Sequence, residues 1–202
     1  MFVELTARFL KWFVPAVWRI DDKTKSIYLT FDDGPCPDVT PKVLDILDKY
    51  GIKATFFCVG DNVRKYPETF RLVVDKGHRT GNHTMHHLKG LCTPTADYID
   101  DVEEADKFIG SNLFRPPYGR ITMKQLRLLR QRYKIVMWDV ITRDYNPKLT
   151  PEKCFSIVKR FARSGSIIIF HDSKKSADNV LSALPLSIEW LIRQGYTFKT
   201  IG

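Results

Sequence analysis

The chain has 202 residues, with 32 Lys plus Arg against 23 Asp plus Glu, a formal charge of +9 at neutral pH. That length holds one domain with at most a short appendage, and a hydrophobic fraction of 44% excludes a disordered or low-complexity chain. No stretch approaches the ~20 consecutive apolar residues of a membrane span, and the surplus charge leaves nucleic acid, an anionic membrane surface and anionic substrates as partners to be told apart.

Residues 1–25 read as an amphipathic N-terminal extension, rich in aromatics (Phe2, Phe9, Trp12, Phe13, Trp18). Arg8 and Lys11 interrupt its apolar run, no small-residue cleavage site follows, and Pro15 opposes a single continuous helix. It is expected to pack against the domain, with a membrane-surface segment as the alternative. With no secretory signal, the expected location is cytoplasmic or peripheral to the inner membrane surface. Residues 26–202 are expected to form one domain.

From Ser26 apolar runs and helical periodicities alternate. Strands are predicted over residues 26–31, 54–59, 78–82, 113–115, 135–139, 166–170 and 196–200. Helices are predicted over 39–50, 66–76, 95–109, 122–132, 150–163 and 179–193. Seven strands alternating with six helices imply parallel strands joined by right-handed crossovers, in an open doubly wound sheet or a closed, irregular barrel. No G-x-G-x-x-G follows the first strand, which disfavours a dinucleotide site. The cysteines (Cys36, Cys58, Cys92, Cys154) are widely spaced without C-x-x-C and read as free thiols. Cys58 reads as a buried hydrophobe and Cys36 as a loop residue near an acidic motif.

The charge is uneven: net +1 over residues 1–100 (14 basic, 13 acidic) and +8 over 101–202 (18 basic, 10 acidic). Its densest stretch, from Arg115 to Lys134, reads mostly as the solvated face of a helix whose buried side holds Leu126 and Leu129. No nucleic-acid recognition motif accompanies it.

The unusual polar residues fall where strands end: Asp32 and Asp33, His83 and His87, Arg115 to Gly119, Asp139 and Asp144, then His171 and Asp172. The C-terminal face of a parallel barrel is where side chains from different strands converge into a site. Two imidazoles and a carboxylate make a common catalytic zinc set, and a second carboxylate can take a proton from the bound water. His171 could donate a proton to a leaving group, with Asp144 orienting it or raising its pKa. Spacing alone leaves the ligand register open, because His86 also pairs with His83 at i, i+3. His78 reads as structural.

Thr30–Pro35 (TFDDGP), His83–His87 (HTMHH), Arg115–Gly119 (RPPYG), Trp138 through Tyr145, and Ile168–Asp172 (IIFHD) resemble, in order, the five motifs of the polysaccharide deacetylases, the NodB-homology or carbohydrate esterase family 4 enzymes. The resemblance spans roughly residues 26–201 and implies an α/β fold, a distorted, TIM-barrel-like (β/α)7 barrel. It implies a hydrolase that removes N-acetyl groups from an amino-sugar glycan with a divalent metal, zinc before cobalt or nickel. Asp33, His83 and His87 would bind the metal. Asp32 would be the general base and His171 the general acid. Tyr118 would offer its backbone N–H to the oxyanion, Arg115 would hold Asp32 and Asp144 would hold His171. Three positions depart from the pattern: Ile141 where many members carry an acid, Tyr145 where many carry Trp, and Ile169 where many carry Leu. These changes touch the acyl and sugar pocket rather than the hydrolytic groups. The substrate is expected to be an N-acetylated glycan. The alternatives are a lipid-linked amino sugar deformylated or deacetylated at the membrane surface, and a non-catalytic glycan-binding barrel.

Overall fold

In a computed structural model, residues 14–21 and 23–202 are described; residues 1–13, the greater part of the extension expected from the sequence, lie outside that range. Strand β1 (Ser26–Asp32) is the centre of the fold, buried along its whole length. Its side chains alternate. Ile27, Leu29 and Phe31 face outward onto helices α1 (Thr40–Lys49), α6 (Pro151–Phe161) and α7 (Ala177–Arg193), while Tyr28 faces inward. The outer layer includes the Phe31 ring stacked on Phe56 at 4.8 Å and beside Phe170 at 6.1 Å. The inner layer brings Tyr28 together with Phe57, Leu113, Val136 and Ile167. Burial on both faces explains why β1, β2 (Thr55–Cys58) and β7 (Ile167–His171) read as near-continuous apolar runs.

Every strand pairing is parallel, in the order β5 (Lys134–Ile135), β4 (Leu113–Phe114), β3 (Arg79–Asn82), β2, β1, β7, β6 (Val140–Ile141), with β8 (Thr197–Phe198) added to the start of β1. Helices α2 (Gly60–Lys65), α3 (Pro67–Asp75), α4 (Thr95–Ile109) and α5 (Met123–Leu129) complete the distorted (β/α)7 barrel.

Two expectations change in detail. The strand expected over 135–139 is two short strands, because this stretch changes partner. Val136 N–H bonds Phe114 O on β4, and Asp139 N–H bonds Ile167 O on β7. The two ends of the sheet path are thus joined through residues 136–139. Val17 and Arg19 cover that seam, bridging to Val136 and Ser166. The second change is α2, a six-residue helix too short to show a period and cut from α3 by Pro67. The basic run is largely the outer face of α5. Thr122 caps that helix in a capping box with Gln125, while Leu126 and Leu129 are buried and Lys124, Arg127 and Arg130 are exposed. Among the described residues no helix is long and apolar enough to cross a membrane.

Candidate active site

The register carries the polar residues to one rim. Asp32 pairs with His171 and Phe57, Cys58 with Asn82, and Asn82 with Phe114, so β1, β7, β2, β3 and β4 end within one residue of the same level. Asp33, His83 and Arg115 are the next residues out. A cleft of about 500 Å³ opens there, with Asp32, Asp33, His83, His87, Tyr118 and His171 in its lining.

Asp33, His83 and His87 present ligand atoms that all lie within 4.8 Å of one another. His87 Nε2 is 3.2 Å and His83 Nε2 is 3.8 Å from Asp33 Oδ1. His83 Nδ1 lies 2.7 Å from the Arg115 carbonyl oxygen, which leaves the Nε2 lone pair turned toward Asp33. Burial pushes the His83 imidazole down to about 4, so it is neutral, as a ligand must be. Burial alone would raise Asp33, but the His87 hydrogen bond and then the charge of His171 hold it below the ordinary carboxylate range. One carboxylate and two inward-facing imidazoles fit a divalent cation of the zinc type. His86, the other ring in register, turns away, with Nδ1 2.6 Å from Asp101 Oδ1.

Asp32 is buried, and its Oδ1 accepts from Arg115 Nη1 at 2.6 Å. Arg115 is itself fully buried. It also donates to Thr30 Oγ1 and to the carbonyls of Val136 and Met137, and lies 4.0 Å from the centroid of the Phe57 ring. Opposite, Asp144 grips His171 twice. Its Oδ1 is 2.7 Å from Nδ1, and its Oδ2 accepts the His171 backbone N–H at 2.7 Å. Burial would lower His171, but Asp144 outweighs it and, with Asp33 and Asp32 adding, raises the imidazole to about 9. Tyr118 sits in a turn at φ 59°, and its backbone N–H has no protein acceptor among the described residues. Gly119 beside it has φ 65°, and a Cβ there would lie 2.5 Å from the Trp138 ring.

Among the described residues, five of the six non-glycine residues at positive φ lie on these loops: Asp33, Thr84, His87, Tyr118 and Arg143. Such conformations persist only where the surroundings over-determine them. Of the residues that do so, Asp101, Asn62 and Asn179 had no individual signal in the sequence, whereas Asp172 did. Asp101, on α4, accepts from the Met85 and His86 N–H groups as well as meeting the His86 ring, and so fixes the histidine loop. Asp172 accepts from Gly34 N–H at 3.1 Å and Thr40 Oγ1 at 2.6 Å, tying the Asp33 turn to β7 and α1. A Cβ at residue 34 would fall 2.1 Å from Asp172 Oδ2, so only glycine fits. Asn62 donates to Asp33 O and Asn179 to Asp144 O.

Not every strand-end residue reaches the cleft. Asp139 is held by Arg163 and Ser166 instead. His78 is structural, its Nδ1 accepting the Ala54 N–H. Cys36 and Cys58 are buried free thiols. The three departures noted above, Ile141, Tyr145 and Ile169, all line the cleft.

A parallel barrel with a metal-type donor set, an arginine-held carboxylate and an aspartate-held imidazole at its C-terminal rim has the groups that hydrolysis needs. Comparison then gives the family: residues 19–134 match the model of the polysaccharide deacetylases, and the chain belongs to that family. It is 35% identical over 193 residues to a peptidoglycan-N-acetylglucosamine deacetylase of Bacillus cereus, covering 91% of this chain and 90% of the relative. It is 39% identical over 190 residues to the peptidoglycan-N-acetylmuramic acid deacetylase PdaA of Bacillus subtilis, covering 89% of this chain and 71% of that one. A crystal structure of a peptidoglycan N-acetylglucosamine deacetylase superposes with a TM-score of 0.88 at 28% identity, covering 95% of this chain and 93% of the other. The chain is accordingly a carbohydrate deacetylase, a hydrolase of amide bonds.

Proposed function

We propose that this protein removes N-acetyl groups from peptidoglycan glycan strands, releasing acetate and leaving a free amino sugar. The observation that carries the reading is the convergence of the Asp33, His83, His87 set with the Asp32–Arg115 and Asp144–His171 pairs in one cleft. The substrate class is supported by the relatives, whose names specify peptidoglycan. A lipid-linked sugar and a membrane-surface contact gain nothing from them. We assign the catalytic unit to residues 26–202.

In this reading Asp33, His83 and His87 hold a divalent cation, zinc foremost. When bound, it would polarise the acetamide carbonyl and make a nearby water more acidic. Asp32 accepts the proton of the attacking water, and Arg115 holds that carboxylate in place through its 2.6 Å bond. The Tyr118 backbone N–H donates to the oxygen that becomes anionic as the carbonyl carbon turns tetrahedral. His171 passes its Nε2 proton to the departing amine, while Asp144 holds Nδ1 and stabilises the imidazolium. Incubating the protein with N-acetylated peptidoglycan strands and measuring acetate tests this directly, and no release would reject it.

Two further outcomes are expected. Activity should fall as pH rises through the His171 pKa, because the general acid must be protonated. Asp144→Asn removes the charge that raises this pKa, so the alkaline limb should move to lower pH. A bound cation also lowers the value, so both profiles are recorded at equal metal occupancy. An unmoved limb would detach Asp144 from His171. Asp101→Ala should weaken zinc binding about 10- to 100-fold, as loss of an orienting partner does, with the circular-dichroism spectrum retained. Unchanged affinity in a zinc titration would leave Asp101 without a role in the site.

A further inference from the structure

The cleft carries more positive charge than deacetylation uses. Lys89 follows β3, Arg120 follows the turn after β4, and Lys175 follows β7; all three are exposed residues of the cleft lining. None has a carboxylate partner among the described residues, whereas neighbouring Lys174 is paired with Asp38 at 2.8 Å. Two of them rest on aromatic rings of the same cleft. Lys89 Nζ is 5.0 Å from the Tyr118 ring centroid and Lys175 Nζ is 5.7 Å from that of Tyr145. The acidic groups of the cleft are already engaged, Asp32 by Arg115 and Asp33 by two imidazoles. A neutral N-acetylated sugar offers these three cations nothing to pair with. They are also spread, with Lys89 and Arg120 on the Tyr118 side and Lys175 on the Tyr145 side. A terminal phosphate is usually met by a compact nest of backbone N–H groups. Spread cations instead suit charges repeated along a chain.

Building on the deacetylase reading, we infer that the cleft selects an N-acetylated glycan bearing carboxylates on its sugars over a neutral one, with Lys89, Arg120 and Lys175 as the specificity-determining residues. Charges lining a cleft focus the field on an incoming anion and also speed its capture.

The test compares peptide-free strands of alternating N-acetylglucosamine and N-acetylmuramic acid with the same strands after reduction of their lactyl carboxylates to alcohols. Acetate release gives kcat and KM, and the change in intrinsic tryptophan fluorescence, with Trp138 in the cleft lining, gives equilibrium binding. The carboxylate strands should have kcat/KM about tenfold higher, carried mainly by KM and shrinking as salt rises, as expected for several exposed ion pairs. The triple variant Lys89→Gln, Arg120→Gln, Lys175→Gln should narrow that ratio toward one. Equal binding of the two strands at low salt would overturn the inference, as would tighter binding of N-acetylglucosamine 1-phosphate than of either. Carboxylate-selective binding without acetate release would reject the deacetylase reading and leave the selectivity standing.

Discussion

Asp32→Asn is expected to lower kcat by about 100- to 10,000-fold, the usual worth of a positioned general base, while zinc still binds. Asn keeps the shape of Asp and can still accept from Arg115, so the cleft retains its geometry. It cannot take a proton from water. Asp33, His83 and His87 are untouched, which separates this variant from one that merely loses metal. Arg115 keeps its bonds to Thr30, Val136 and Met137, so the barrel should stay folded. Acetate release measured beside a zinc titration checks both halves. Turnover near the wild-type level would refute the role assigned to Asp32.

The second large effect is on stability. Arg115→Met should destabilise the fold by about 3–5 kcal/mol, because it leaves the Asp32 charge buried without its partner. Both side chains are nearly inaccessible, at 0% and 6% exposure, so solvent cannot take over the role of the guanidinium. Activity should disappear as well, since Asp32 loses its orientation. Adding Asp32→Leu should restore most of the stability but none of the activity, because removing both charges removes the desolvation penalty. Chemical denaturation of the single and double variants measures this. A single variant as stable as the wild type would show that the buried Asp32–Arg115 pair does not support the fold.

The barrel was legible because its strands are short, apolar and separated by helices with clear periods. What escaped depended on contacts across the chain. The stretch 134–141 has the composition of one strand, and only its neighbours make it two: β4 takes the first half and β7 the second. The polar rim was legible for a related reason. Asp32 and His171 end strands that pair residue to residue, so motifs far apart in sequence arrive at one level. Asp139 and Asp172 also fall near strand ends. Asp139 meets Arg163 away from the cleft, and Asp172, next in chain to His171, is taken by Thr40 and Gly34. Asp101 left no trace in the sequence because its link to the histidine loop crosses from a helix face, and helix period says nothing about what an acid on that face will meet. The charge surplus divides similarly. Most of the run from Lys124 to Lys134 faces solvent, but Arg120 joins two distant lysines in the cleft lining.

The central claim is that hydrolysis depends on a cation held by Asp33, His83 and His87. The most direct measurement is acetate release from N-acetylated peptidoglycan strands by the protein as purified, after exhaustive chelation, and after adding back one equivalent of zinc. The account predicts that release stops on chelation and returns with zinc, and that Asp33→Ala prevents the return. Release that persists undiminished through chelation would contradict it.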